Sequence, residues 1–288
     1  MESSPTFIFH HPKFIFRNPE DSIVLFENHP VKIYFSRIGN SLISLDKSPF
    51  GSFIVDQHIV PNDLSSLLGK VMVWSKSEGI TNLMIRAFPE VYQPVHSGII
   101  KTALLGSGFI ETYSDITQVV PLSDESMNLN THKKRRLRKA EALGFSFREL
   151  TLDFLEESYS LIVESRINKR YPVTMSLQEL KNMFALFPTA YILFGVFDKN
   201  KLISASVSIK VSEEILYCFY IGDDLTYRTY SPVTFLINGI YHYAKGNHFK
   251  ILDLGLSTDK GILNRGLYAF KKTFGTIDSV KLTFTKQL

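Results

Sequence analysis

The chain has 288 residues, 44% of them apolar and 21% charged, with one cysteine and a formal net charge of +4. That make-up can bury a core, which excludes an intrinsically disordered chain. Cys218 alone cannot build a disulfide framework and fits a reducing cytoplasm.

The N-terminal "MESSPTFIFHHPKFIFRNPED" breaks its apolar residues with His, Pro and Lys, so no signal-peptide core forms. No window reaches membrane-spanning length. The eight histidines are scattered, and neither a His-Glu-x-x-His pattern nor a cysteine pair exists. The expectation is a soluble cytoplasmic protein without membrane insertion, a metal or a tightly bound cofactor.

In the first half, "SPFGSFIVDQ" predicts a strand and "NDLSSLLGKVMVWSKSEG" a helix, with Leu64, Leu67, Leu68, Val71 and Met72 at helical spacing. "TNLMIRA" predicts a strand, a loop follows with Pro89 and Pro94, then a helix from His96 to Leu105 and a strand opened by "GF". Next comes "HKKRRLRKAEALGF". It holds six Lys or Arg between His132 and Lys139, and without them the chain carries 26 basic and 28 acidic residues. Leu129, Leu137, Ala140 and Leu143 make a narrow apolar line with Gly144 as C-cap, so this is a helix with cations on its other faces.

Beyond it, "LDFLEESYSLIVESRINK" and "SLQELKNMFALF" predict helices, and "AYILFGVFDKNKLISASVSIKV" a hairpin turning at Asp198–Lys201. "EILYCFYIG" is a strand, and "SPVTFLINGIYHYAKG" a helix with Ser231 as N-cap and Pro232 in its first turn. "FKILDLG" is a strand, "KGILNRGLYAFKKTFG" a helix closed by Gly275, and "SVKLTFT" the last strand. The two halves repeat one order of elements. The fold class expected is α/β (α+β): a domain over 1–126, a basic linker helix over 127–144 and a second domain over 145–288, each a mixed central sheet flanked by helices.

Three pieces carry a resemblance. "HKKRRLRKAEALGFSF", "FYIGDDLTYRTYSPVTFLINGIYHYAKGNHFKILDLG" and "GLYAFKKTFG" resemble the linker helix, the strand–helix–strand core and the Phe-Lys-x-x-Phe-Gly signature of the Fem-type aminoacyl transferases of bacterial cell walls. The resemblance implies two tandem GNAT-like domains and an N-acyltransferase. The donor would be an acyl-CoA thioester or an aminoacyl-tRNA. The acceptor would be a small-molecule or peptidoglycan-precursor-like amine.

It also implies roles for residues. Lys271 matches the signature lysine, a point charge for an oxyanion or phosphate. Asp253 would receive a proton or orient the acceptor amine, or else merely cap a loop. Tyr220, or Tyr217 on the opposite face by strand alternation, would protonate a leaving group. Arg166 would sit near the substrate cleft. Donor phosphates would meet Arg135, Arg136, Arg138 and Lys139, or the helix start at Tyr230 and Ser231. The glycine loop that cradles a pyrophosphate in acetyl-CoA enzymes is absent, since "TYRTYSPV" and "DQHIVPNDL" hold no glycine. Two other classes stay open: an RNA- or tRNA-binding protein using the basic helix, and a degenerate transferase fold serving as a scaffold. A DNA-reading module is not seen.

Overall fold

The computed structural model describes residues 7–55, 58–123 and 127–288. Asp56 and Gln57, the expected end of the first strand, and Ser126, the expected domain boundary, lie outside them. So do the first six residues of the N-terminal stretch. The chain forms two compact units that are not consecutive stretches. The first comprises 1–117, 256–264 and 278–288, and the second 118–255 and 265–277. The helix expected as a linker, Thr131–Ala142, belongs wholly to the second unit.

In the first unit, neighbouring strands run Ile23–Asn28, Val31–Ile38, Ser41–Ile43, Asn82–Arg86, Ile277–Gln287 and Ile110–Pro121. The first three carry no expectation from the sequence, and among the described residues of the expected 48–57 strand Ile54–Val55 pairs with Val31–Ile38. Helix Pro61–Ser77 opens on a proline, and the Asp63 carboxylate accepts the Val60 N–H, which satisfies one orphan donor of its first turn. Its Leu64, Leu67, Leu68 and Val71 are buried, as their spacing requires.

In the second unit the order is Ile251–Leu256, Ile215–Asp223, Lys201–Ser212, Tyr191–Asp198 and Phe145–Leu150. Helix Pro232–Gly246 buries Leu236, Ile237, Ile240, Tyr241 and Ala244. Ser231 precedes it in the left-handed region, φ 60°, and its side chain makes no cap. Helix Arg265–Lys272 starts later than expected because Thr258–Asp259 and Ile262–Leu263 pair as a small hairpin.

The repeat is visible in the backbone. Helix Pro61–Ser77 ends with Ile80 N–H bonded to Ser75 O and Gly79 at positive φ; helix Pro232–Gly246 ends with Phe249 N–H bonded to Ala244 O and His248 at positive φ. Each is followed by a strand that pairs in parallel for three residues: Ser41–Ile43 with Asn82–Met84, and Ile215–Tyr217 with Ile251–Asp253. The order of elements read as repeated is thus repeated down to single hydrogen bonds.

Close packing in the second unit depends on Gly222. A Cβ there would lie 2.5 Å from Cα of Ile162, on helix Leu155–Asn168. Backbone cannot yield as a side-chain tip can, so Gly222→Ala is expected to cost about 1–3 kcal/mol, read as a fall in urea midpoint at unchanged slope. An unchanged midpoint would contradict this packing.

Candidate functional site

Strand Ile215–Asp223 sets the site. Its antiparallel partner pairs Ile209 with Tyr217, Ser208 with Cys218 and Val207 with Tyr220, leaving Phe219 as an extra, bulged residue. Ile209 and Val207 share a face, so Tyr217 and Tyr220 do too. Strict alternation would have separated them, and the bulge overturns that expectation. Gly222, against helix Leu155–Asn168, marks the same face.

On the other side, the parallel ladder with Ile251–Leu256 stops at Tyr217–Asp253, although both strands run on. Past that point the main chain needs other partners. The Asp253 carboxylate accepts the Gly255 N–H at 2.6 Å, the loop-capping role left open in the sequence. Lys271 Nζ donates to Gly255 O at 2.7 Å. Gly255 itself has φ 81°, and a Cβ there would lie 3.3 Å from Cε2 of Tyr217 and 3.7 Å from its hydroxyl. Lys271, Asp253, Tyr217 and Gly255 therefore meet at the end of the ladder.

Burial governs the titration of this group. Lys271 is 6% exposed, and loss of hydration lowers its ammonium to about 8, with the Asp253 charge opposing. Burial, and then the same carboxylate, raises the Tyr217 phenol above its ordinary value, so it is a proton donor throughout the neutral range. Burial pushes the Cys218 thiol up to about 12, which makes it an inert core residue.

Tyr220 is committed elsewhere. Its hydroxyl accepts the Thr174 N–H at 2.9 Å and lies 2.8 Å from Thr174 Oγ1, anchoring the loop after helix Leu155–Asn168. The Arg166 guanidinium lies 4.8 Å from the Tyr220 ring and 5.9 Å from that of Tyr171, with Nε and Nη2 both on Pro172 O. Burial lowers its pKa, and no carboxylate pairs with it among the described residues.

The basic helix presents two faces. Lys133, Arg136 and Lys139, three residues apart, meet the start of helix Pro232–Gly246. Lys133 Nζ donates to Thr234 Oγ1 at 3.0 Å and sits 4.1 Å from the Phe270 ring centroid; Arg136 donates to Ser231 Oγ; Lys139 lies 5.3 Å from the Tyr230 ring. Burial, then the charge of Arg136, brings Lys133 down to about 8. Cations at the positive end of a helix reinforce its field, an arrangement suited to an anion. Arg135 and Arg138 are exposed, whereas Lys133 is buried and Arg136 partly buried. Lys133 was missed because a lysine inside a basic run carries no mark of burial; the three-residue spacing with Arg136 and Lys139 was the available signal.

No family model matches the chain, and no curated protein matches it in sequence. Solved structures do. FemX shares 13% identity at TM-score 0.74, over 99% of this chain and 94% of that one. The C-terminal domain of a protein assigned as a lysylphosphatidylglycerol synthetase from Agrobacterium fabrum shares 11% at 0.65, over 92% and 84%. A tandem GNAT protein from the clavulanic acid biosynthesis pathway shares 9% at 0.58, over 96% and 86%. The fold is the tandem GNAT fold. Among the described residues no helix is long and apolar enough to cross a membrane, and no group of three or more metal-ligating side chains gathers.

Because Lys271 binds its proton less readily folded than unfolded, its burial opposes folding at neutral pH. That opposition is relieved as pH rises from about 8 to 10.5. Relative to Lys271→Met, the wild-type chain is expected to gain up to about 3 kcal/mol over that window in urea unfolding. Parallel curves would contradict a buried, depressed ammonium.

Proposed function

We propose that the chain is an N-acyltransferase that moves an acyl or aminoacyl group from a thioester or ester donor to an amine. The observation that carries this reading is Lys271, buried at the end of the broken ladder with Tyr217 and Gly255. The tandem GNAT fold shared with FemX supports it.

The donor's carbonyl would lie at the divergence of strands Ile215–Asp223 and Ile251–Leu256. The acceptor nitrogen attacks the carbonyl carbon, negative charge gathers on the carbonyl oxygen, and the carbon–sulfur or carbon–oxygen bond then breaks. Lys271, still an ammonium below its pKa of about 8, stabilises that oxyanion. Tyr217, whose proton burial retains, delivers a proton to the departing thiolate or alkoxide, and the phenolate so formed takes up the proton that the acceptor nitrogen loses. Of the two tyrosines Tyr217 takes this role, because the Tyr220 hydroxyl is held by Thr174. Asp253 fixes the Gly255 turn that Lys271 binds, a positioning role.

Donor phosphate would meet Lys133, Arg136 and Lys139 at the start of helix Pro232–Gly246, in place of the missing glycine loop. Arg166, flanked by Tyr171 and Tyr220, would hold an anionic group of the acceptor, as in a cell-wall precursor or an anionic lipid headgroup. The exposed face with Arg135 and Arg138 favours RNA as a donor carrier, since its charges lie free for a phosphate backbone.

The test is transfer of a labelled group from acetyl-CoA and, in parallel, from charged tRNA to an amine acceptor. With the productive donor, Lys271→Met is expected to lower kcat about 100-fold with little change in KM. The wild-type rate should fall above pH 8 as the ammonium is lost. Arg135→Ala with Arg138→Ala should weaken only tRNA. Full activity in Lys271→Met, or no transfer from either donor, would overturn the proposal.

A further inference from the structure

The meeting point of Tyr217, Asp253 and Lys271 has a counterpart in the first unit, position by position. There the parallel ladder between Ser41–Ile43 and Asn82–Arg86 also ends after three pairs, at Ile43 and Met84. Ile43 thus stands for Tyr217 and Met84 for Asp253. Gly108 N–H bonds Leu105 O as Gly275 N–H bonds Lys272 O, with both glycines at positive φ. That match sets Leu104 in the place of Lys271. All three chemical side chains are replaced by apolar ones.

The gap itself is also treated differently. Where the second unit has Gly255, the first has Arg86. Its Nη2 donates to the carbonyls of Leu45 and Asp46, just past the end of the opposite strand. Its main-chain N–H donates to Ser44 Oγ at 2.9 Å, and its carbonyl accepts the Gly51 and Ser52 N–H groups at 3.1 Å. One residue therefore ties both sides of the divergence together through side chain and backbone. Gly51 allows the returning chain to press in, since a Cβ there would lie 2.1 Å from Ser44 O. The Arg86 Nε–H stays buried without a partner, so the stitching is not a device that maximises stability. The neighbouring helix start is closed too, by the Asp63 carboxylate, where the second unit gathers cations.

We infer that Arg86 is a plug: it closes the first unit's copy of the slot, so that the chain accepts a single acyl-donor arm, in the second unit. The donor reading enters only in naming what is shut out; the closure is a property of the first unit.

Cys218 is the chain's single cysteine, which permits a direct test. In a Cys218→Ser background, Ser52→Cys places a thiol at a site with no exposure, beside the stitch, where the native hydroxyl takes no part in it. An uncharged methanethiosulfonate is expected to label it slowly, and additional Arg86→Ala to speed labelling about tenfold or more, with an acceleration independent of low urea, as for a local opening. Should Arg86→Ala not fold, Arg86→Lys, with one nitrogen for two carbonyls, should give a smaller acceleration. Equal labelling with and without Arg86 overturns the plug. Hydrogen exchange with added coenzyme A separates the donor reading from it. Protection over 215–223 and 251–256 supports both, and protection over 41–46 and 82–88 overturns the plug. Protection nowhere removes coenzyme A as donor, and the labelling rates then decide the plug alone.

Discussion

Everything distinctive in this chain follows from two parallel strands that stop hydrogen-bonding each other while both continue. Unpaired main-chain groups away from water cost free energy comparable to a lost hydrogen bond, about 1–3 kcal/mol each, so a divergence inside a sheet must be answered by other partners. The chain answers it twice. In the first unit a single arginine and Ser44 supply the partners and the gap is closed. In the second, an aspartate and a lysine bind the two polar groups of a glycine that has no side chain to fill the space. The same backbone problem, solved with different side chains, yields a stitched seam in one case and a meeting of buried ionisable groups in the other.

The lysine solution is the expensive one. Burying an ammonium loses hydration that one carbonyl and a nearby carboxylate restore only in part, and the lowered pKa of about 8 measures the deficit. A methionine of similar length would serve packing better. Retention of a charge there makes sense where negative charge develops transiently, because a preorganised cation costs no reorganisation at that moment. The aromatic rings of Phe270 and Phe274 do for Lys133 what Gly255 does for Lys271, holding a second depressed cation at the start of a helix whose own field is positive.

Much of the architecture was legible. Apolar residues at helical spacing located both long helices, and the order strand, helix, strand, helix, strand in each half gave the tandem fold. The strands Ile23–Asn28 and Val31–Ile38 escaped although Val31, Ile33 and Phe35 alternate with half-exposed Lys32, Tyr34 and Ser36, because apolar Leu25 and the aromatic Phe26 and Tyr34 also sit at exposed or half-exposed positions. The division into consecutive domains failed on topology: Ile277–Gln287 pairs with Asn82–Arg86, a pairing across nearly the whole chain that no local pattern announces. Lys271 and Asp253 were singled out from neighbouring sequence and meet at Gly255, whereas the shared face of the two tyrosines turns on one bulged residue, Phe219. A bulge leaves no signature in a run such as "LYCFYIG". The basic helix was legible as a helix, but which of its cations are buried was not, since Arg135 and Arg138 look no different from Lys133 and Arg136 until the buried stripe at Leu137 and Ala140 fixes its rotation.

The most direct measurement is a crystal structure of the chain with a non-hydrolysable acyl-CoA or aminoacyl-RNA analogue. The acyl carbonyl is expected between strands Ile215–Asp223 and Ile251–Leu256, with its oxygen toward Lys271 and the leaving atom toward the Tyr217 hydroxyl. An analogue bound with its carbonyl away from both side chains, or seated in the first unit beside Arg86, would contradict it.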